Sequence, residues 1–111
     1  KIAKDAGVEI ASGSDILGPY QDLKGRELRI KAALLSPMEA IVSATRTNAR
    51  LLNVENRVGT VEVGKEADLV ILDGNPLDDP TLFERGRETV QFVMKAGRIM
   101  KDTLTLAERD R

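Results

Sequence analysis

The group in this chain best placed to do chemistry is the carboxylate of Asp15. Gly7-Val8-Glu9-Ile10-Ala11-Ser12-Gly13-Ser14-Asp15 reads as a short strand, Val8 to Ala11, running into a turn of small residues that presents Asp15. Ser12, Gly13 and Ser14 have little bulk, so the backbone can approach a ligand closely and the carboxylate stands uncrowded. The position just past the C-terminal end of a strand is where open α/β sheets and barrels keep their reacting groups. A carboxylate there is anionic yet can be transiently protonated, which suits it to proton transfer. The plain alternative is that Asp15 caps a turn or a helix start, and spacing alone favours that alternative, because Asp in turns is common.

Other candidate motifs fall away. Ser12 and Ser14 do not sit in the Gly-x-Ser-x-Gly pattern of a nucleophile elbow, and the chain has no histidine to act as base. Gly59-Thr60-Val61-Glu62-Val63-Gly64-Lys65 fits Gly-x4-Gly-Lys, but Glu66 replaces the Ser or Thr that would hold magnesium. Its intervening residues are strand formers, which do not cradle phosphate. Thr45, Thr47 and Asn48 have the look of a polar site. Small residues there permit close packing, and their hydroxyls can bond back to helix carbonyls, so a structural role is the simpler reading.

The chain has 111 residues and 41% hydrophobic content, the composition of one small globular unit. Formal charge is −1, so there is no basic footprint for nucleic acid and nothing that draws the chain to an anionic membrane. Cysteine is absent, which excludes a disulfide framework and a thiolate metal site. No apolar run approaches the ~20 residues of a membrane span, and Lys1-Ile2-Ala3-Lys4-Asp5 lacks the apolar core of a signal peptide. A cytoplasmic location is the default expectation. The lack of histidine matters most, since hydrolytic zinc sites draw on imidazole and Ser-His-Asp or Cys-His catalysis requires it.

The elements that must position Asp15 are readable in outline. Lys1 to Ala6 reads as a helix end closed by Gly7, and Val8 to Ala11 alternates poorly, as a strand buried in a parallel barrel does. Ile16 to Leu23 is expected as a loop broken at Gly18-Pro19, and Lys24 to Leu35 as a helix. Leu28, Ala32 and Leu35 share a face of that helix, with Arg26, Glu27, Arg29 and Lys31 mostly on a solvated one. The next helix starts at Ser36, with Pro37 at its first position and Glu39 completing a Ser-x-x-Glu capping box. Met38, Ile41, Val42, Thr45, Ala49 and Leu52 recur at helical spacing as its expected buried stripe, and Asn53 suits a left-handed cap. After Asn56 to Gly59 the period changes. Thr60 to Val63 alternates, Asp68 to Asp73 is a near-continuous apolar strand, and Thr89 to Lys95 is another. Ala96-Gly97 turns tightly into Arg98-Ile99-Met100-Lys101.

Taken together, Gly13-Ser14-Asp15, Leu35-Ser36-Pro37-Met38-Glu39-Ala40, Ala44-Thr45-Arg46-Thr47-Asn48-Ala49, Gly59 to Val70 and Asp73-Gly74-Asn75-Pro76-Leu77 follow one another in a telling order. The series, over about residues 6 to 102, resembles the C-terminal part of metal-dependent amidohydrolases, nearest the imidazolonepropionase- and prolidase-like branch. The resemblance implies an α/β fold: the last strand and helices of a TIM (β/α)8 barrel over 1–57, part of a small β-sandwich over 58–102, and a polar tail over 103–111. It makes Val8 to Ala11 the eighth barrel strand and Asp15 both catalytic residue and metal ligand. Ser14, Tyr20 and Gln21 become substrate contacts, although the lone Tyr20 could equally pack under its loop. The implied cofactor is a divalent metal, zinc in the first instance, as one or two ions bound mostly outside this chain. The implied partners are the rest of a parent chain and a small amide or peptide substrate, with a homo-oligomer left open.

A barrel of this kind needs about 250 residues, so the expectation is one piece of a larger hydrolase acting on C–N bonds, inert by itself. Two other readings remain. One is a non-catalytic binding or assembly domain that keeps the fold and uses an exposed β-edge. The other is a stand-alone small α/β protein.

Overall fold

The computed structural model describes residues 1–104; of the expected polar tail, 105–111 lie outside the described residues. Helix α1 (Ile2–Asp5) ends at Gly7, whose φ of 76° is the left-handed value expected from sequence. Gly7 N–H donates to the Lys4 carbonyl and Val8 N–H to the Ala3 carbonyl, both at 2.9 Å, the paired bonds of a Schellman cap. Residues 8–17 then run without regular structure. The strand expected over Val8 to Ala11 is therefore not formed, and no closed barrel is seen among the described residues. A strand exists only through bonds to a neighbour, and none of the strands that are described pairs with this segment.

The expected loop over Ile16 to Leu23 contains a 3₁₀ helix, Gly18–Leu23, with Pro19 in its first turn. Helix α2 (Gly25–Leu34) follows, and then α3 (Pro37–Val42), a π turn (Ser43–Thr47) and α4 (Asn48–Leu51) run on as one rod. The start of α3 matches the sequence reading: Ser36 Oγ accepts from Glu39 N–H at 3.2 Å and donates to Glu39 Oε2 at 2.8 Å. At the far end Asn53 has φ 56°, and Val54 N–H reaches the Ala49 carbonyl at 2.9 Å, a second Schellman pair.

The buried face of this rod differs from the expected stripe. Ala40, Ser43, Thr47 and Ala49 are buried, whereas Met38 and Leu52 are 52% and 69% exposed. Part of the reason is the π turn. One extra residue in a turn swings every later side chain round the axis by about 100° relative to a regular helix, so a period of 3.6 misplaces the positions beyond it. Thr45 Oγ1 donates to the Ile41 carbonyl at 2.8 Å and Ser43 Oγ to the Ala40 carbonyl at 2.7 Å, the back-bonding expected of these hydroxyls.

The remainder is a small antiparallel sheet in the order β1-β2-β3, made of β1 (Leu69–Leu72), β2 (Val90–Lys95) and β3 (Arg98–Asp102). Thr60 to Val63 is not a strand; Val61 and Val63 are fully solvated and no described strand offers them an edge. Between β1 and β2 the chain makes a 3₁₀ turn, Pro80–Phe83, and helix α5 (Gly86–Thr89). The β2–β3 turn has φ 48° at Ala96 and 78° at Gly97, the positive pair of a type I′ hairpin. The helices and the sheet segment meet through small residues: a Cβ placed on Gly25 would lie 1.7 Å from the Phe83 carbonyl oxygen, and one on Gly59 2.5 Å from Ala49 Cβ. Among the described residues no helix is long and apolar enough to cross a membrane.

Candidate active site

Asp15 takes a left-handed backbone, φ 52°, a conformation that Asp and Asn tolerate better than other side chains with a Cβ. Its side chain is exposed and has no hydrogen-bond or ion-pair partner among the described residues, so it caps neither a turn nor a helix. It opens onto a hollow of about 460 Å³ that Ser14, Lys24, Glu27 and Asn48 also line. Ser14, expected as a substrate contact, thus shares the hollow with Asp15, and its Oγ accepts from Ile16 N–H at 3.4 Å. Tyr20 and Gln21 stand on the Gly18–Leu23 helix and are not part of this lining. Tyr20 is 65% exposed, so it does not pack under its loop either.

The backbone just before Asp15 is tied from three side chains. Asn48, at the start of α4, accepts from Ser12 N–H through Oδ1 at 2.9 Å and donates Nδ2–H to the Ser12 carbonyl at 2.8 Å. Glu27, on α2, accepts from Ser12 Oγ at 2.9 Å and from Gly13 N–H at 3.1 Å through one oxygen. Lys31, one turn further on, donates to that same oxygen at 2.8 Å and to the Ala11 carbonyl at 2.7 Å. Partial burial pushes the Glu27 carboxyl pKa up, but the bonds from Lys31, Ser12 and Gly13 together outweigh it and hold the pKa below its ordinary value.

Glu27 and Lys31 therefore do not belong to a solvated face, as helical spacing implies. Their side chains are only 24% and 17% exposed. Nor is Asn48 there merely for close packing. These tethers span from 14 to 36 residues of sequence, a separation that no local pattern reports. The one available signal was a polar Asn, a Glu and a Lys on helix faces adjoining a turn of small residues.

A second, larger cleft of about 830 Å³ lies between the α3–α4 rod and the sheet, lined chiefly by Ile41, Ala49, Leu52, Val58, Val70 and Leu72. Leu52 and Val70, at its margin, are largely exposed.

The amidohydrolase family model matches residues 1–100, and the chain belongs to that family. It is 34% identical over 103 residues to imidazolonepropionase of Thermoplasma volcanium, covering 88% of this chain and 25% of that protein. A solved prolidase complexed with N-methylphosphonate-L-proline is 39% identical with a TM-score of 0.85, over 91% of this chain and 25% of that one. A zinc-bound adenosine deaminase from Xanthomonas campestris is 29% identical with a TM-score of 0.65, over 90% of this chain and 27% of that one. The chain thus spans about a quarter of the length of each.

A metal is implied by these relatives, and the donor set tests whether this chain can hold one. Among the described residues no group of three or more His, Cys, Asp or Glu is placed to bind an ion. A zinc site requires three or four protein ligands. Asp15, exposed and unpartnered, has the chemistry of one such ligand, and the described residues do not make a complete site.

Proposed function

We propose that the chain is part of a metal-dependent amidohydrolase that cleaves C–N bonds with water. The substrates that this reading favours are dipeptides, N-acyl amino acids or cyclic amides, and Asp15 is its proton-transfer residue. One observation carries the proposal: in a member of the amidohydrolase family, a carboxylate is held in a left-handed turn beside a hollow and is consumed by no structural contact. The prolidase and imidazolonepropionase relatives support a substrate with an amide in the main chain or in a ring. The adenosine deaminase likeness extends the class to an exocyclic amine, which is also a C–N hydrolysis.

In this reading an Asp15 carboxylate oxygen takes the proton of the attacking water. It then delivers that proton to the departing nitrogen, which leaves as an amine instead of an unstable anion. Ser14 borders the place where substrate would sit, with Tyr20 and Gln21 further out on their helix. A divalent metal, with Asp15 as one ligand and the others supplied by the rest of a parent chain, would lower the pKa of its bound water toward ~7 and polarise the scissile carbonyl. The division at about residue 57 between barrel end and sandwich strands, with the polar tail after 102, belongs to the same proposal.

Apolar side chains exposed on β1 and β3, Val70 at 60%, Ile99 at 55% and Met100 at 61%, favour a second reading, a binding or assembly domain without catalysis. Assays separate the two. The complete zinc-loaded protein is expected to turn over at least one dipeptide, N-acyl amino acid or cyclic amide, while the 111-residue chain alone shows no turnover and substoichiometric zinc. Tight stoichiometric zinc binding with turnover by the chain alone would contradict the shared site. A zinc-loaded complete protein inert across all these classes and toward nucleoside amines would favour the binding domain.

A further inference from the structure

Asp15 is free at its carboxylate, yet Ala11, Ser12 and Gly13 ahead of it are tied down. The Ser12 N–H and carbonyl, both backbone polar groups of one residue, are taken by the two ends of a single amide, Asn48. Such a two-point bond fixes peptide orientation as well as position, which a single hydrogen bond does not. Asn48 directly follows the π turn, a feature that recurs at functional sites and that here re-aims the helix beyond it. From the other side, the Glu27 oxygen gathers Ser12 Oγ and Gly13 N–H. Asn48 and Glu27 both line the hollow onto which Asp15 opens.

We infer that Asn48, seconded by Glu27, is a positioning residue: it sets the place and orientation of the Ser12 peptide and through it the Asp15 carboxylate. The inference rests on the reading of Asp15 as the proton-transfer group. It adds that the geometry of that group is set from α4 and α2, whose Asn48 and Glu27 side chains hold the Ser12 and Gly13 backbone. A fold-stabilising tether alone would affect melting. A positioning tether acts on the chemical step, where about 1 Å of misplacement can cost on the order of 10²-fold in rate.

The test is steady-state kinetics on the complete metal-loaded enzyme with Asn48→Ala, Asn48→Asp and, in parallel, Asp15→Asn. Asn48→Ala is expected to lower kcat by about 10- to 100-fold, with KM within about threefold and bound metal unchanged. Asn48→Asp keeps the size and the acceptor for Ser12 N–H but turns an anion toward the Ser12 carbonyl. It should lower kcat in the same way, and it carries the test if Asn48→Ala fails to fold. If both Asn48 variants lower Tm while kcat stays within twofold, Asn48 is a structural tether and the inference falls, even where Asp15→Asn abolishes turnover. If Asp15→Asn leaves kcat intact, the reading of Asp15 falls and the positioning role falls with it.

Discussion

Asp15 and Asp68 each bear on a turn with positive φ, and they are used in opposite ways. Asp68 precedes β1 and spends its carboxylate on the β2–β3 hairpin, accepting from Ala96 N–H at 2.7 Å and pairing with Lys95 across the sheet. Those two bonds hold its pKa below the ordinary value, the Lys95 contact first. Asp15 is itself the left-handed residue, and its turn is held by other residues' side chains. In the hairpin the acid supports the backbone; in the Ser12 to Asp15 turn the backbone is supported so that the acid is left uncommitted. A carboxylate engaged on both oxygens by its own fold has less to offer a ligand than an unengaged one, and the difference separates a structural acid from a candidate catalytic one.

The comparison depends on the helices and the sheet segment being locked together, and Gly25→Ala tests that most severely. The new Cβ would fall 1.7 Å from the Phe83 carbonyl oxygen, where backbone must move. A loss of about 1–3 kcal/mol is expected, read by urea denaturation; a neutral result would mean that α2 is not fixed against the Pro80–Phe83 turn. Ser36→Ala removes the acceptor for Glu39 N–H and should cost about 0.5–2 kcal/mol, by the same measurement. It would loosen the α3–α4 rod that aims Asn48.

Much of that rod was legible in sequence because its signals are local. Ser36, Pro37 and Glu39 mark its start within four positions and Asn53 its end. The Ala96-Gly97 turn and β2 were equally readable, since hairpin chemistry lies in adjacent residues. Two kinds of feature were not. Val8 to Ala11 has strand composition, but a strand needs partners that composition does not provide. Glu27, Lys31 and Asn48 look like ordinary helix surface until folding brings the Ala11 to Gly13 backbone against them. Asp15 was singled out by its setting of small residues. What holds that setting was invisible because the tethers are long-range.

A smaller effect concerns acid. The Glu27 pKa lies below its ordinary value of 4.5, so the stabilisation it gives is fully present above that pH. It is lost as pH falls below 4.5 and through the folded value, when the protonated group no longer holds Lys31, Ser12 and Gly13 as a carboxylate does. The Gly13 amide resonance should therefore titrate in that window and stay flat above it. A midpoint at or above the ordinary value would show that the Glu27 tethers do not form in solution.

The smallest effect on stability, and the most direct test, is Asp15→Asn in the complete enzyme. Asn accepts the same left-handed backbone and the carboxylate has no partner to lose, so the folding free energy should change by less than about 0.5 kcal/mol. Proton transfer would be lost, and kcat should fall by at least about 10²-fold, with bound metal reduced only modestly. Melting temperature, metal content and kcat read on one preparation decide the matter. Unchanged melting with collapsed kcat is the predicted result; activity within a few-fold of the parent, or a clear loss of stability with kcat preserved, would contradict the account.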